Sequence, residues 1–187
     1  MTTIFPDSKL AHQYLDGLTG IEIGAALHNP FNLNTINADL KLGEIYEKEQ
    51  VALAEGISPI DVIIQDASRL PFKDKEYDFV INSHVIEHIY RPDLAIIEWC
   101  RVAKSYIFLI IPHKDRTFDK DRNETTPEEI FSRENLMEYP DGHHNVWRTQ
   151  SFLEFIFCLK EYVEILEVQN VDDKVGNGFT VVLKIKS

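Results

Sequence analysis

The sequence predicts an α/β fold: a doubly wound, mostly parallel sheet of seven strands that ends in an antiparallel C-terminal hairpin. Three observations predict it. Strand-like runs alternate with helix-like or irregular connections along most of the chain, the order that builds a parallel sheet. Two of the runs, Phe79-Val80-Ile81 and Tyr106 to Ile111, are apolar without alternation, as strands covered on both faces are. The last two runs, Val163 to Val168 and Phe179 to Ile185, are separated by a link centred on Asp172 to Gly178 that is too short for a parallel crossover. They must pair antiparallel, which places one reversed strand at an edge of the sheet.

The elements follow in order. A short amphipathic segment, Ser8 to Asp16, precedes Gly17. Ile21 and Ile23 suit a first buried strand, with Glu22 between them and Gly24 free to bring backbone close to a ligand. The stretch to the next strand, Thr35 to Ala38, is rich in Asn and Pro and reads as an irregular loop. Asp39 ends that second strand, and Leu40 to Glu55 reads as a surface helix stopped by Gly56. Asp61 to Ile64 is the third strand and Tyr77 to Asn82 the fourth. Pro92 opens a helix to about Ala103, ahead of the fifth strand. From Pro112 to Arg148 the pattern breaks, with two short helical pieces at Pro127 to Phe131 and Arg133 to Glu138; a segment this long is functional or has structure of its own. Ser151 to Leu159 is an apolar helix with Thr149 as its expected cap.

Composition bounds the rest. The 187 residues suit a single domain, 1–187, with an insert at about 112–148 expected to cover the active site. A hydrophobic fraction of 44% and a charged fraction of 27% are those of a folded chain. The net charge of −12 argues against a phosphate-tracking surface, so no nucleic-acid partner is expected. Cys100 and Cys158 lie in apolar helix-like runs and read as buried reduced thiols. No run is long and apolar enough to span a membrane, and a cytoplasmic location is the expectation.

The block DASRLPFKDKEYDFVINSHVIEH, Asp66 to His88, together with GIEIGAALHNPF at Gly20 to Phe31, carries a resemblance. The chain resembles the class I S-adenosylmethionine-dependent methyltransferases of the type 11-like subgroup, from about Gly20 onward. The resemblance implies S-adenosylmethionine as cofactor and a Rossmann-like methyltransferase fold. It aligns Glu22 and Gly24, followed by Ala25, with the loop that approaches the methionine part of the cofactor. It aligns Asp39 with the acid that binds both ribose hydroxyls, Asp66 and Ala67 with the adenine contact, and Asn82 and Ser83 with the strand end beside the reactive methyl. A carboxylate suits a vicinal diol because it accepts from both donors. Ala25-Ala26-Leu27 departs from the family, which places further glycines there; a left-handed φ at either alanine costs about 1–2 kcal/mol.

Two rival readings stand beside this one. His84-Val85-Ile86-Glu87-His88 fits the H-x-x-E-H pattern of inverted zinc peptidases, but it follows a strand directly and meets Pro92 too soon for the helix those ligands need. No metal site is therefore expected, and a zinc hydrolase on His84, Glu87 and His88 is the lesser alternative. The departure at Ala25 and Ala26 raises a non-catalytic cofactor-binding or scaffold protein. For methyl transfer to a polar small molecule or glycan precursor, histidine suits the general base near neutral pH. His113 leads the candidates because it directly follows the fifth strand, with His84, His143 and His144 behind it.

Overall fold

The computed structural model describes residues 7–41, 43, 48, 51, 58–134 and 142–186. Seven strands form one sheet in the order β3-β2-β1-β4-β5-β7-β6: β1 (Gly20–Ile23), β2 (Thr35–Asp39), β3 (Val62–Ile63), β4 (Tyr77–Ser83), β5 (Ala103–Pro112), β6 (Val163–Gln169) and β7 (Gly178–Ile185). The pairs β1–β2, β2–β3, β1–β4 and β4–β5 are parallel, whereas β7 runs antiparallel to both β5 and β6. The reversed strand is thus interior, and β6 takes the edge. Burial explains the exchange: β7 is covered along nearly its whole length, while β6 is largely exposed after Val163. The more apolar partner goes inside because it has two faces to bury.

Side-chain alternation sends successive residues of each strand to opposite faces. Ile21, Ile23, Val80, Ile107 and Leu109 belong to a core with α2 (Pro92–Val102) and α4 (Thr149–Cys158). Phe79, Ile81, Phe108 and Ile110 pack instead with Ala11 and Leu15 of α1 (Lys9–Leu15) and with Phe31 and Leu33 of the first loop. Ser8 caps α1 by accepting from the Ala11 amide, and Pro92 starts α2 where its missing N–H costs nothing. At α4 the expected cap moves by one: Arg148 is the cap residue, and its amide donates to the Ser151 hydroxyl at 3.0 Å. Cys100 is buried, but Cys158, at the end of α4, is exposed, because the turn that stops the helix leaves it on the outer face.

The first connection is an irregular loop, as its Asn and Pro content requires. In the surface helix expected at Leu40 to Glu55, Leu40, Lys41 and Gly43 are not helical, Lys48 and Val51 are, and the remainder lies outside the described residues. Within the insert, α3 (Pro127–Ser132) forms with Thr126 as cap. Arg133 and Glu134 are not helical, and the rest of the Arg133 to Glu138 piece lies outside the described residues. Two 3-10 turns, Lys114–Arg116 and Phe118–Asp121, precede α3.

Polar contacts fasten the insert to the sheet. The His144 and Asn145 amides donate to the Glu87 carbonyl at 2.8 and 3.0 Å, and the Asn145 side chain donates to the Ile89 carbonyl at 2.7 Å. Arg133 donates to the Tyr90 carbonyl and to Asn145 Oδ1, with its guanidinium over the Tyr90 ring. The loop between β6 and β7 is organised by Asp172, whose carboxylate accepts from the amides of Lys174, Val175, Gly176 and Gly178. Burial raises the Asp172 pKa, but these four donors outweigh it and hold the group below its ordinary value.

Candidate active site

A cleft of about 770 Å³ opens beyond the carboxyl ends of β1 to β4, with Gly24, Asp39, Asp66, Ala67, His84 and His88 among its walls. This is the point where strand order reverses between β1 and β4, the position at which open α/β sheets bind ligands. Gly24 has φ +77, and a Cβ there would stand 2.4 Å from Val85 Cγ2, so the first loop passes the β4 segment at a distance only glycine permits.

Asp39 holds the loop that follows. Its Oδ2 accepts from the Ala26 amide and its Oδ1 from the Leu40 amide, both at 2.7 Å. Ala26 has φ +53, the left-handed conformation that further glycines would have eased. The strain is offset by the Asp39 bond and by Asn37, whose side chain donates to the Ala26 carbonyl at 2.7 Å. Each Asp39 oxygen keeps a second acceptor position. Burial raises the Asp39 pKa, and the two amides lower it only in part. Asp66 Oδ1 accepts from the Ser68 amide and hydroxyl at 2.8 and 2.7 Å, while its Oδ2 accepts no hydrogen bond among the described residues. Two carboxylates with acceptor capacity left over, a glycine-close backbone and an apolar floor at Ile23 and Ile64 fit a nucleoside with its hydroxyl and amino donors.

The other expected residues lie elsewhere. Glu22 faces away from the Ile21 and Ile23 core and is not part of the cleft wall. It is buried, with the Thr35 hydroxyl at 3.5 Å, and burial pushes its carboxyl up to about 8, against the lowering influence of Lys174 and Thr35. Ala25 is a buried residue of the loop itself, Asn82 is fully buried with neither amide atom partnered among the described residues, and Ser83 is half-buried at the end of β4. His113 is not in the cleft wall: its Nδ1 accepts from the Asp115 amide and so caps the first 3-10 turn of the insert.

His84 and His88 do face the cleft. Burial lowers both pKa values, which favours neutral rings. His84 sits at φ +56 and Ile86–His88 is a 3-10 turn, so the two histidines do not lie four apart on one α-helical face. The zinc-peptidase arrangement is absent for that reason. His143, a candidate base from the insert, lies against this group although it does not line the cleft itself. Its ring meets that of His88 at a centroid distance of 4.7 Å, carried there by the bonds of His144 and Asn145 to the Glu87 carbonyl. The Asn145 side chain, buried with complementary backbone groups, is a signal only the docked insert makes visible. Beyond His143 lies a second, polar pocket of about 590 Å³ lined by Tyr90, Arg122, Glu129, Arg133 and His144.

A family model described as a methyltransferase domain matches residues 17–111, the span from before β1 to the end of β5 that builds the cleft. The chain belongs to this methyltransferase family, within the class I fold, and family and fold together imply S-adenosylmethionine as the cofactor. An uncharacterized protein of Methanocaldococcus jannaschii is 32% identical over 177 residues, covering 85% of this chain and 76% of that protein. Ajmaline N-methyltransferase of Rauvolfia serpentina is 28% identical over 131 residues, 67% of this chain and 45% of that enzyme. Among solved structures, a SAM-dependent methyltransferase from Aquifex aeolicus superposes with a TM-score of 0.59 at 19% identity, covering 98% of this chain and 91% of that one. One from Methanosarcina mazei gives 0.58 at 18% identity, covering 96% and 98%. These last two likenesses concern the fold. No helix among the described residues is long and apolar enough to cross a membrane.

Proposed function

We propose that this chain transfers a methyl group from S-adenosylmethionine to a hydroxyl of a polar small molecule or glycan precursor. The observation that carries the reading is the placement of Asp39, Asp66, His84 and His88 on one cleft, with the polar pocket of the insert beside it. The bound cofactor supplies a sulfonium-activated methyl group. Asp39 accepts from the ribose hydroxyls, and Asp66 with Ala67 receives the adenine edge. Gly24 and the Ala26 loop, held by Asp39, give the backbone surface against which the methionine part rests.

The acceptor hydroxyl must lose its proton as the methyl arrives, and His84 takes it. Its ring faces the cleft and is kept neutral by burial, so it is a competent base near neutral pH. This reverses the sequence-based preference for His113, whose Nδ1 is committed to the insert turn. Arg122, Arg133 and Glu129 of the neighbouring pocket suit a hydroxylated or charged acceptor. The non-catalytic reading loses its motive, because the strained Ala26 is braced by Asp39 and Asn37.

Methyl-labelled cofactor incubated with a small-molecule extract tests the reading. Label should appear in hydrophilic compounds, and the His84→Asn variant should lose about tenfold or more of the rate while retaining cofactor affinity. Label confined to protein or nucleic acid, or a His84→Asn rate equal to wild type, would refute it.

A further inference from the structure

Glu87 is the most deeply buried acid at this site, at 0% exposure, and neither of its carboxylate oxygens accepts a hydrogen bond from another described residue. A buried carboxyl with no partner is costly, and burial accordingly pushes it up to about 8. What faces it is not a set of donors. Glu87 Oε1 lies 3.7 Å from His88 Nε2, 3.9 Å from His143 Nε2 and 3.8 Å from His84 Nδ1, all beyond hydrogen-bond reach.

His88 Nδ1 is 2.9 Å from the Gly142 carbonyl oxygen, which can only accept, so the ring proton is on Nδ1. His143 Nδ1 is 2.6 Å from Asp119 Oδ2. Burial raises Asp119, but its bonds to His143 and Arg122 outweigh that and hold it below the ordinary carboxylate value, so it too accepts. In the neutral rings both Nε2 atoms therefore carry lone pairs, turned with the Glu87 oxygen toward one another. The ligand atoms of Glu87, His88 and His143 all fall within 4.8 Å of one another. Three acceptor atoms facing one point repel unless a proton on Glu87 or a cation lies between them.

We propose that Glu87, His88 and His143 form a site for one divalent first-row transition cation of the zinc or cobalt type. Two imidazoles and one carboxylate favour such a cation over magnesium or calcium. Zinc bonds of about 2.0–2.1 Å place tetrahedral neighbours about 3.3 Å apart, so the two Glu87–imidazole pairs need close by about half an ångström and the two imidazole nitrogens, within 4.8 Å, by at most about 1.5 Å. Asp119 behind His143 and the Gly142 carbonyl behind His88 are the outer acceptors that fix ring orientation in such centres. The set differs from the zinc-peptidase pattern because its third ligand comes from the insert. His88 lines the cleft and His143 the polar pocket, so the cation sits on the wall between them. There it would take an acceptor oxygen and make its hydroxyl more acidic, a consequence that rests on the methyl-transfer reading, whereas cation binding itself does not.

Full-length protein stripped with chelator and titrated with Co²⁺ tests the site. One equivalent should bind with visible d–d absorption and be displaced by Zn²⁺; His88→Ala and His143→Ala should each weaken binding more than tenfold. Asp119→Asn, which leaves all three ligands in place, should weaken it about tenfold. Far-UV circular dichroism confirms that each variant is folded, and Asp119→Asn serves if His143→Ala is not. Absence of a stoichiometric Co²⁺ complex in wild type, or equal affinity in the folded variants, overturns the proposal. S-adenosylhomocysteine titrated into the same stripped protein separates the readings: binding without Co²⁺ uptake removes the cation site alone, and Co²⁺ uptake without nucleoside binding keeps the cation site and removes the methyl-donor reading.

Discussion

Glu22 is a buried acid in the middle of β1. Its neighbours Ile21 and Ile23 alternate into the α2 and α4 core, and the same period of two turns Glu22 toward the other face. The alternation was legible; its consequence for the acid between the two isoleucines outweighs the motif position that points Glu22 at the cofactor. Asp39 and Asp66, at strand ends where alternation no longer matters, do reach the cleft. The folded pKa of Glu22 is up to about 8 against an ordinary 4.5. Between those values the unfolded chain is ionised while the folded chain keeps its proton. The stabilisation from this group is therefore complete below about pH 4.5 and is lost as pH rises toward 8. Thermal unfolding of wild type should accordingly fall between pH 5 and 8 more steeply than that of Glu22→Gln. Glu87, raised in the same direction, leaves a residual slope in the variant. Identical slopes would contradict a buried protonated Glu22.

At the level of elements, the parallel strands, α2 and the irregular first connection were readable from apolar runs and from Asn and Pro placement, because those signals are local. The interior position of β7 was not, since antiparallel pairing says nothing about which partner lies at the edge; burial settles that. The path of the insert was equally hidden. It depends on Asn145 and Arg133 meeting backbone carbonyls far away in sequence, contacts that carry no periodic signature. Asn145 is 1% exposed and its amide group spans Ile89 and Arg133. Asn145→Ala should therefore destabilise the fold by about 1–3 kcal/mol. Chemical denaturation of wild type and variant measures this, and a change below about 0.5 kcal/mol would show that the insert is held by other contacts.

For the whole molecule, the doubly wound sheet sets the chemistry by geometry. Reversal of strand order opens the cleft, the first loop and β4 approach each other at Gly24, and the insert closes in through His143 and Asn145. The net charge of −12 fits a nucleoside-binding cleft that relies on carboxylates as acceptors rather than on a basic surface. Asp39, braced between the Ala26 and Leu40 amides, is the proposed acceptor for the ribose hydroxyls of the methyl donor. Isothermal titration with S-adenosylhomocysteine measures this contact. One site is expected in wild type, with affinity weakened more than about tenfold in Asp39→Ala. No binding to wild type, or equal dissociation constants for the two proteins, would contradict it.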